Sequence, residues 1–321
     1  MPGTVRHRLS ATLALTLMII AGSLSTALAQ EKIRVGKAVP EAFSFVPLDV
    51  GMAQGFFKKR GLDVESIAFA GDAKMQQAAA AGSIEFMLGS GPGLGFIAKG
   101  SPVKGVAAMA GPPLLLAIVV RPDGPKTVAD LKGKKIGVST AGSLTYFLVS
   151  ETSQRQGWGP NGIDIKPMGA MSGQLAAIKR GDLDGSIMDI GNAFNLEKLG
   201  EGRIVARFTD MKDFIIHVIF ATDKLIAEKP AVVKSFLEGW FETIAFMRKN
   251  KAATVKIAME ITQKDEDITA RSYDELMPMF SDTGRFETKA LGVLAKSLVE
   301  LKILPTEPDM TKLVNETYLP K

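Results

Sequence analysis

Apolar and polar positions alternate in a repeating order along the first two thirds of the chain. Ile33 to Gly36 is a short apolar block that predicts a strand, and Pro47 to Lys59 has the spacing of an amphipathic helix. A second strand follows "RGLDVE", a second helix covers Lys74 to Ala81, and Ile84 to Leu88 reads as a third strand. The same βαβαβ order returns as "KKIGVSTAGSLTYF", a helix to Gln156, "GIDIKPM", "GQLAAIKRG" and "DGSIMD". In this register Gly82 falls on Gly181, Glu85 on Asp184 and Ser90 on Asp189. Each unit continues with a helix and two more apolar runs, "VKGVAAMA" with "LLLAIVVR" and "RIVARFTD" with "FIIHVIFAT". Such alternation predicts two α/β lobes of parallel strands with helices on both faces. The stretch "RPDGPKTVADLKGKK", with two prolines and a glycine, suits a crossover between them. Beyond "FIIHVIFATDK" the pattern changes to long helices such as "PAVVKSFLEGWFETIAFMRKN", where Pro230 marks a helix start.

In open α/β sheets ligands bind outside the carboxyl ends of strands, where loops and helix N-termini converge. The repeat places four equivalent loops there: "VPEAFSF" with "STAGSLT", and "GSGPG" with "DIGNA". They are expected to face one another across a cleft. Ser139, Thr140 and Ser143 then offer hydroxyls and the N–H groups behind them, suited to a ligand anion or carbonyl, or else act as helix caps. Asp189 at a strand end is either a ligand contact or an N-cap. Phe43 and Phe45 flank Ser44 and either stack on a planar ligand or pack beneath their loop.

The first 30 residues change the picture of location. Arg6 and Arg8 precede an apolar run from Leu13 to Ile20, and Ala27-Leu28-Ala29 forms a small-x-small site. This predicts a cleaved secretory signal peptide over residues 1–29. With 46% hydrophobic and 23% charged residues over 321 positions, the chain has an ordinary globular composition and length for two domains. The absence of cysteine excludes disulfides, a thiol nucleophile and a lipid-bearing cysteine, which suggests a free periplasmic protein. The formal charge of +5 falls to +3 without Arg6 and Arg8 (37 basic against 34 acidic side chains), too slight to argue for nucleic acid.

Three motifs bear on chemistry. Gly93 to Ala98 fits the loose G-x-G-x-x-A form, but it starts well after the strand and lacks an acidic ribose partner downstream. The chain contains no G-x-x-x-x-G-K-[ST] stretch. Gly137-Val138-Ser139-Thr140-Ala141 falls one glycine short of a nucleophile elbow, and Asp189 and His217 follow in the order of a hydrolase triad. A secreted serine hydrolase using Ser139, Asp189 and His217 is therefore the enzymatic alternative. His217 is the single histidine outside the leader, so a histidine metal cluster is excluded; the residue reads either as a half-buried strand position or as a ligand contact.

The ordered segments "GMAQGFFKKRGLDVE", "AAAAGSIEFMLGS", "DLKGKKIGVSTAGS", "AIKRGDLDGSIMD" and "FATDKLIAEKPAVVKSFLEGW" resemble the substrate-binding proteins of ABC importers, of the nitrate/sulfonate/taurine and thiamine-precursor type. The resemblance spans nearly all of the chain after the leader. It implies a type II periplasmic binding protein fold, two doubly wound lobes joined by two hinge crossovers, with residues 30–118 and 219–321 in lobe 1 and 119–218 in lobe 2. It further implies no enzyme activity and no cofactor, and a monomer that delivers a small organic ligand, a sulfonate or carboxylate or an N-heterocycle, to a membrane permease. A ligand-sensing subunit of a signalling system is the second alternative. The expected contacts are Phe43, Ser44, Phe45, Ser90, Gly91, Ser139, Thr140, Gly142, Ser143, Asp189 and His217, with no metal. Asp189, if it faces the cleft, opposes an anion and favours an amine or a heterocycle with N–H donors.

Overall fold

In a computed structural model that describes residues 30–114 and 116–321, the two copies of the repeat build two separate five-stranded sheets. The expected leader lies outside the described residues. The first copy supplies β1 (Glu31–Lys37), α1 (Val46–Ala53), β2 (Leu62–Ala68), α2 (Asp72–Ala80), β3 (Phe86–Ser90), α3 (Leu94–Ala98) and β4 (Val103–Ala110). After β5 (Leu116–Val120), the second gives β6 (Lys135–Val138), α4 (Leu144–Arg155), β7 (Asp164–Pro167), α5 (Met171–Arg180), β8 (Gly185–Asp189), α6 (Ile190–Lys198) and β9 (Arg203–Arg207). β10 (His217–Thr222) follows, and then the helices α7 (Asp223–Glu228), α8 (Pro230–Lys249), α9 (Lys251–Thr262), α10 (Glu266–Leu276) and α11 (Thr288–Glu300).

Strand order is β2-β1-β3-β10-β4 in one sheet and β7-β6-β8-β5-β9 in the other. The fifth strand of each copy has thus crossed to the opposite sheet. β5 inserts between β8 and β9, and β10 between β3 and β4, each antiparallel to both neighbours. The sheets are therefore mixed, where the alternation alone predicted parallel strands. Sheet membership changes between β4 and β5 and again between β9 and β10. The expected boundaries at 118/119 and 218/219 fall inside β5 and β10, and "RPDGPKTVADLKGKK" lies between two strands of the second sheet.

Equivalent residues of the two copies perform the same backbone tasks. Gly82 and Gly181 both take positive φ, 70° and 82°, where a helix ends. The Glu85 carboxylate accepts from the Arg34 N–H at 2.8 Å, and the Asp184 carboxylate accepts from the Lys135 N–H at 2.9 Å. Ser90 and Asp189 each cap the helical turn that follows them. The repeat thus uses the same arrangement for ending a strand and starting a helix twice in one chain.

Residues Glu31–Lys321 form one compact unit. The first sheet is backed by α8, where Val233, Phe236, Leu237, Trp240, Ile244 and Met247 recur at helical spacing and are buried. Phe236 stacks on Phe57 at 5.1 Å and on Phe86 at 4.2 Å, which ties this helix to the sheet face. Among the described residues no helix is long and apolar enough to cross a membrane.

Candidate functional site

The crossed strands set residues from both copies side by side at the carboxyl ends of the two sheets. In the first sheet His217 of β10 pairs with Ser90 of β3; in the second, Leu116 of β5 pairs with Asp189 of β8. Above these two pairs lies a cavity of about 300 Å³, many times the roughly 10 to 15 Å³ that a single water needs and so room for a small organic ligand. It is walled by the loops after β1, β2 and β3 on one side and after β6, β7 and β8 on the other.

Seven of the eleven expected residues line this cavity: Ser44, Phe45, Ser90, Ser139, Ser143, Asp189 and His217. The other four do not line it. The Phe43 ring meets Tyr273 of α10 edge-on at 6.4 Å. A side-chain carbon at Gly91 would lie 1.9 Å from the Ile215 carbonyl oxygen, so this glycine permits close backbone approach. Gly142 abuts Phe96, and the Thr140 hydroxyl accepts from the Ala73 N–H at 3.3 Å across the cleft. Asp72, Gln174, Thr145, Phe69 and Met171 also line the cavity and were not anticipated. Asp72, Phe69 and Met171 belong to the loops after β2 and β7 or the helices that follow, a third equivalent pair at the same sheet ends. The rule that selected the other loops could have found them.

The polar groups in the cavity wall are largely committed to one another. Asp189 Oδ1 accepts from the N–H groups of Gly191 and Asn192 at 3.1 and 3.2 Å, and its Oδ2 accepts from the Asn192 side chain. The residue is thus both a cap and a cavity wall. Ser90 Oγ accepts from the Gly93 N–H, and the Ser90 N–H donates to Asp72 Oδ1 at 2.9 Å. Burial is the dominant influence on Asp72 and pushes its pKa up, against the Ser90 hydrogen bonds that favour the ionised form. Ser139, Ser143 and Thr145 form a closed triangle of hydroxyls with sides of 2.9 to 3.0 Å. Gln174 is held through Gly169 and Ser186.

His217 is buried, its ring 5.0 Å from that of Phe45, and its Nδ1 lies 3.3 Å from the Gly89 carbonyl oxygen. A carbonyl only accepts, so Nδ1 carries the proton and Nε2 of the neutral ring is an acceptor. Burial lowers the imidazole pKa to about 4, opposed by the Gly89 hydrogen bond. At neutral pH the ring is uncharged.

Ser139, Asp189 and His217 form no relay. Each makes its hydrogen bonds elsewhere: Ser139 to Ser143 and Thr145, Asp189 to its own helix, His217 to Gly89. The nucleophile-to-base contact that a triad needs is not made here. Among the described residues no group of three His, Cys, Asp or Glu could hold a metal ion.

Contacts between the walls hold the cavity shut on two flanks. On one, Gly71 meets Thr140 and Ala70 meets Gly169. On the other, α10 lies against α6: the Arg271 guanidinium sits 3.4 Å over the Phe194 ring, and Lys198 bridges Asp265 and Asp267 at 2.9 Å each. These ion-pair partners are solvent-exposed, so screening leaves each pair a weak restraint.

Against known proteins, the family described as NMT1/THI5 like matches residues 42–253. The chain belongs to this family. The matched stretch takes in every strand except β1, runs to the start of α9 and includes every residue of the cavity wall except Ala38 to Glu41. A protein of Haemophilus influenzae named for thiamine biosynthesis is 36% identical over 94 residues, which is 29% of this chain and 30% of that protein. The alkanesulfonate-binding protein SsuA of Xanthomonas axonopodis pv. citri superposes with a TM-score of 0.77 at 17% identity, covering 89% of this chain and 99% of its own. The periplasmic nitrate-binding protein NrtA of Synechocystis PCC 6803 gives 0.71 at 15% identity, covering 90% and 87%. This NMT1/THI5-like chain therefore has the two-lobed periplasmic binding protein fold, an α/β architecture of two mixed sheets.

Proposed function

We propose that the protein is a periplasmic solute-binding receptor that encloses a small organic ligand between its two sheets and delivers it to the membrane permease of an ABC importer, without catalysing a reaction. The observation that carries this reading is the cavity itself, walled by equivalent loops from two independent sheets. A ligand touching both walls binds the closed arrangement better than an open one, and that difference drives closure. The family membership and the import and binding proteins that share the fold support the transport role.

The hydrogen bonding of Ser139, Asp189 and His217 supports binding over hydrolysis. Purified protein is expected to show no Ser139-dependent turnover of p-nitrophenyl acetate. Dialysed protein is expected to melt higher when small molecules from a periplasmic extract are returned, because a ligand at 100 times its Kd adds about 2.7 kcal/mol. Ester hydrolysis abolished by Ser139→Ala and retained in Ser101→Ala would replace this reading with an enzymatic one.

A further inference from the structure

We infer that the buried Lys37–Asp49 ion pair is a clamp that holds the connection between β1 and α1 in its ligand-receiving shape, which makes both residues positioning residues of a cavity that neither lines. This role rests on the receptor reading and adds to it a pair on which the site depends. Lys37 ends β1, and Asp49 lies in the first turn of α1. The Lys37 ammonium donates to both Asp49 carboxylate oxygens, at 2.8 and 3.1 Å, and the two side chains are only 6% and 13% exposed. Between them the chain supplies seven residues of the cavity wall, Ala38 to Ala42 with Ser44 and Phe45.

The second copy of the repeat shows that the fold itself does not require charges at these positions. Glu85 and Asp184 bind the N–H groups of Arg34 and Lys135, and setting those two together puts Lys37 on Val138. Setting the starts of α1 and α4 together puts Asp49 on Phe147. Val138 and Phe147 are both apolar and fully buried.

What differs between the copies is the connection to be held. In the second copy it covers residues 139–143, and its last residue, Ser143, caps α4. In the first it covers residues 38–45, and α1 begins without a side-chain cap. A buried ion pair is a poor source of stability, because the cost of taking two charges out of water offsets their attraction. That cost shows at Asp49, where burial pushes the pKa up against the pull of Lys37. The pair supplies position instead: an ammonium shared by two carboxylate oxygens fixes the spacing of the two ends of the connection, whereas apolar contact is non-directional and lets them slide.

The test replaces the pair by Lys37→Met/Asp49→Leu and, following the second copy, by Lys37→Val/Asp49→Phe. Three readouts are compared with wild type: melting temperature, hydrogen exchange by mass spectrometry, and stabilisation of dialysed protein by the small molecules of a periplasmic extract. The unliganded variants are expected to melt at or above the wild-type temperature. Exchange is expected to be at least tenfold faster over residues 38–45, where the Ala42 and Phe45 amides donate to Val39 and Ala42, and unchanged over residues 139–145. Each variant should need at least ten times more extract for the same rise in melting temperature. A folded variant with wild-type exchange, or with faster exchange and a full response to the extract, would overturn the clamp. So would failure of both variants to fold, or a lost response matched by a lower melting temperature, since the pair would then serve the fold alone. An extract that leaves even wild type unmoved would count against the receptor reading, and exchange alone would then decide the clamp.

Discussion

Gly71→Ala is expected to weaken ligand binding about 30-fold while leaving a folded protein. Gly71 opens α2 with φ of 106°, and a carbon added there would lie 2.6 Å from Thr140 Cγ2 and 2.7 Å from its Oγ1. Two separate costs follow. The backbone conformation is one that an L side chain adopts only under strain of about 1 to 3 kcal/mol, and that cost is paid whether or not ligand is bound. The clash with Thr140 exists only when the two walls meet. Overpacking of this kind costs about 1 to 3 kcal/mol, and its midpoint corresponds to the stated loss of affinity. Thr140→Ala removes both offending atoms, so the double variant Gly71→Ala/Thr140→Ala is expected to recover most of the affinity and none of the lost melting temperature. Equal recovery of both, or of neither, would mean that this contact does not report closure.

Acid is expected to destabilise the unliganded protein through His217. The unfolded chain takes up a proton on this residue below about pH 6.5, whereas the folded imidazole resists protonation until about pH 4. Its contribution is therefore fully present above the unfolded pKa and is lost as pH falls through that window. The total is about 3 kcal/mol, or roughly 6 °C in melting temperature for a chain of this length. Asp72 works in the opposite sense: its raised pKa lets the folded state hold a proton above 3.8, so its contribution is largest in acid and declines as pH rises. Asp189 and Glu41 also line the cavity, so a comparison between variants is needed to isolate the imidazole. Melting curves of wild type and His217→Gln between pH 7 and pH 4 should diverge in slope, the variant being flatter. Parallel curves would show that the ring is not held neutral by burial.

Much of the architecture was legible because the repeat is local. A strand end, a cap and a helix start are specified within a few residues, so the alignment of Ser90 with Asp189 and of Glu85 with Asp184 located equivalent structural tasks correctly. The exchange of β5 and β10 between sheets was not legible, since an apolar run reads the same whichever sheet receives it. Phe43 shows the same limit: it packs on Tyr273, a partner 230 residues away that local spacing does not encode. Asp72 escaped because the helix was expected to begin near Lys74, whereas Asp72 is itself its first residue. The spending of donors within the cavity wall was beyond sequence altogether. Ser139, Ser143 and Thr145 read as available hydroxyls until their mutual distances close the triangle.

Closure around a ligand is the central claim, and the absence of cysteine makes it directly measurable. Lys74 on α2 and Ser172 on α5 are exposed and stand on opposite walls beside the Ala70 to Gly169 contact. Spin labels on Lys74→Cys/Ser172→Cys would report the separation by pulsed electron resonance, with and without a saturating amount of a small molecule that raises the melting temperature of the dialysed protein. Closure predicts a broad, longer distribution in the free protein that shortens and narrows on binding. A distribution that stays the same while calorimetry on the same labelled sample records 1:1 binding would contradict it.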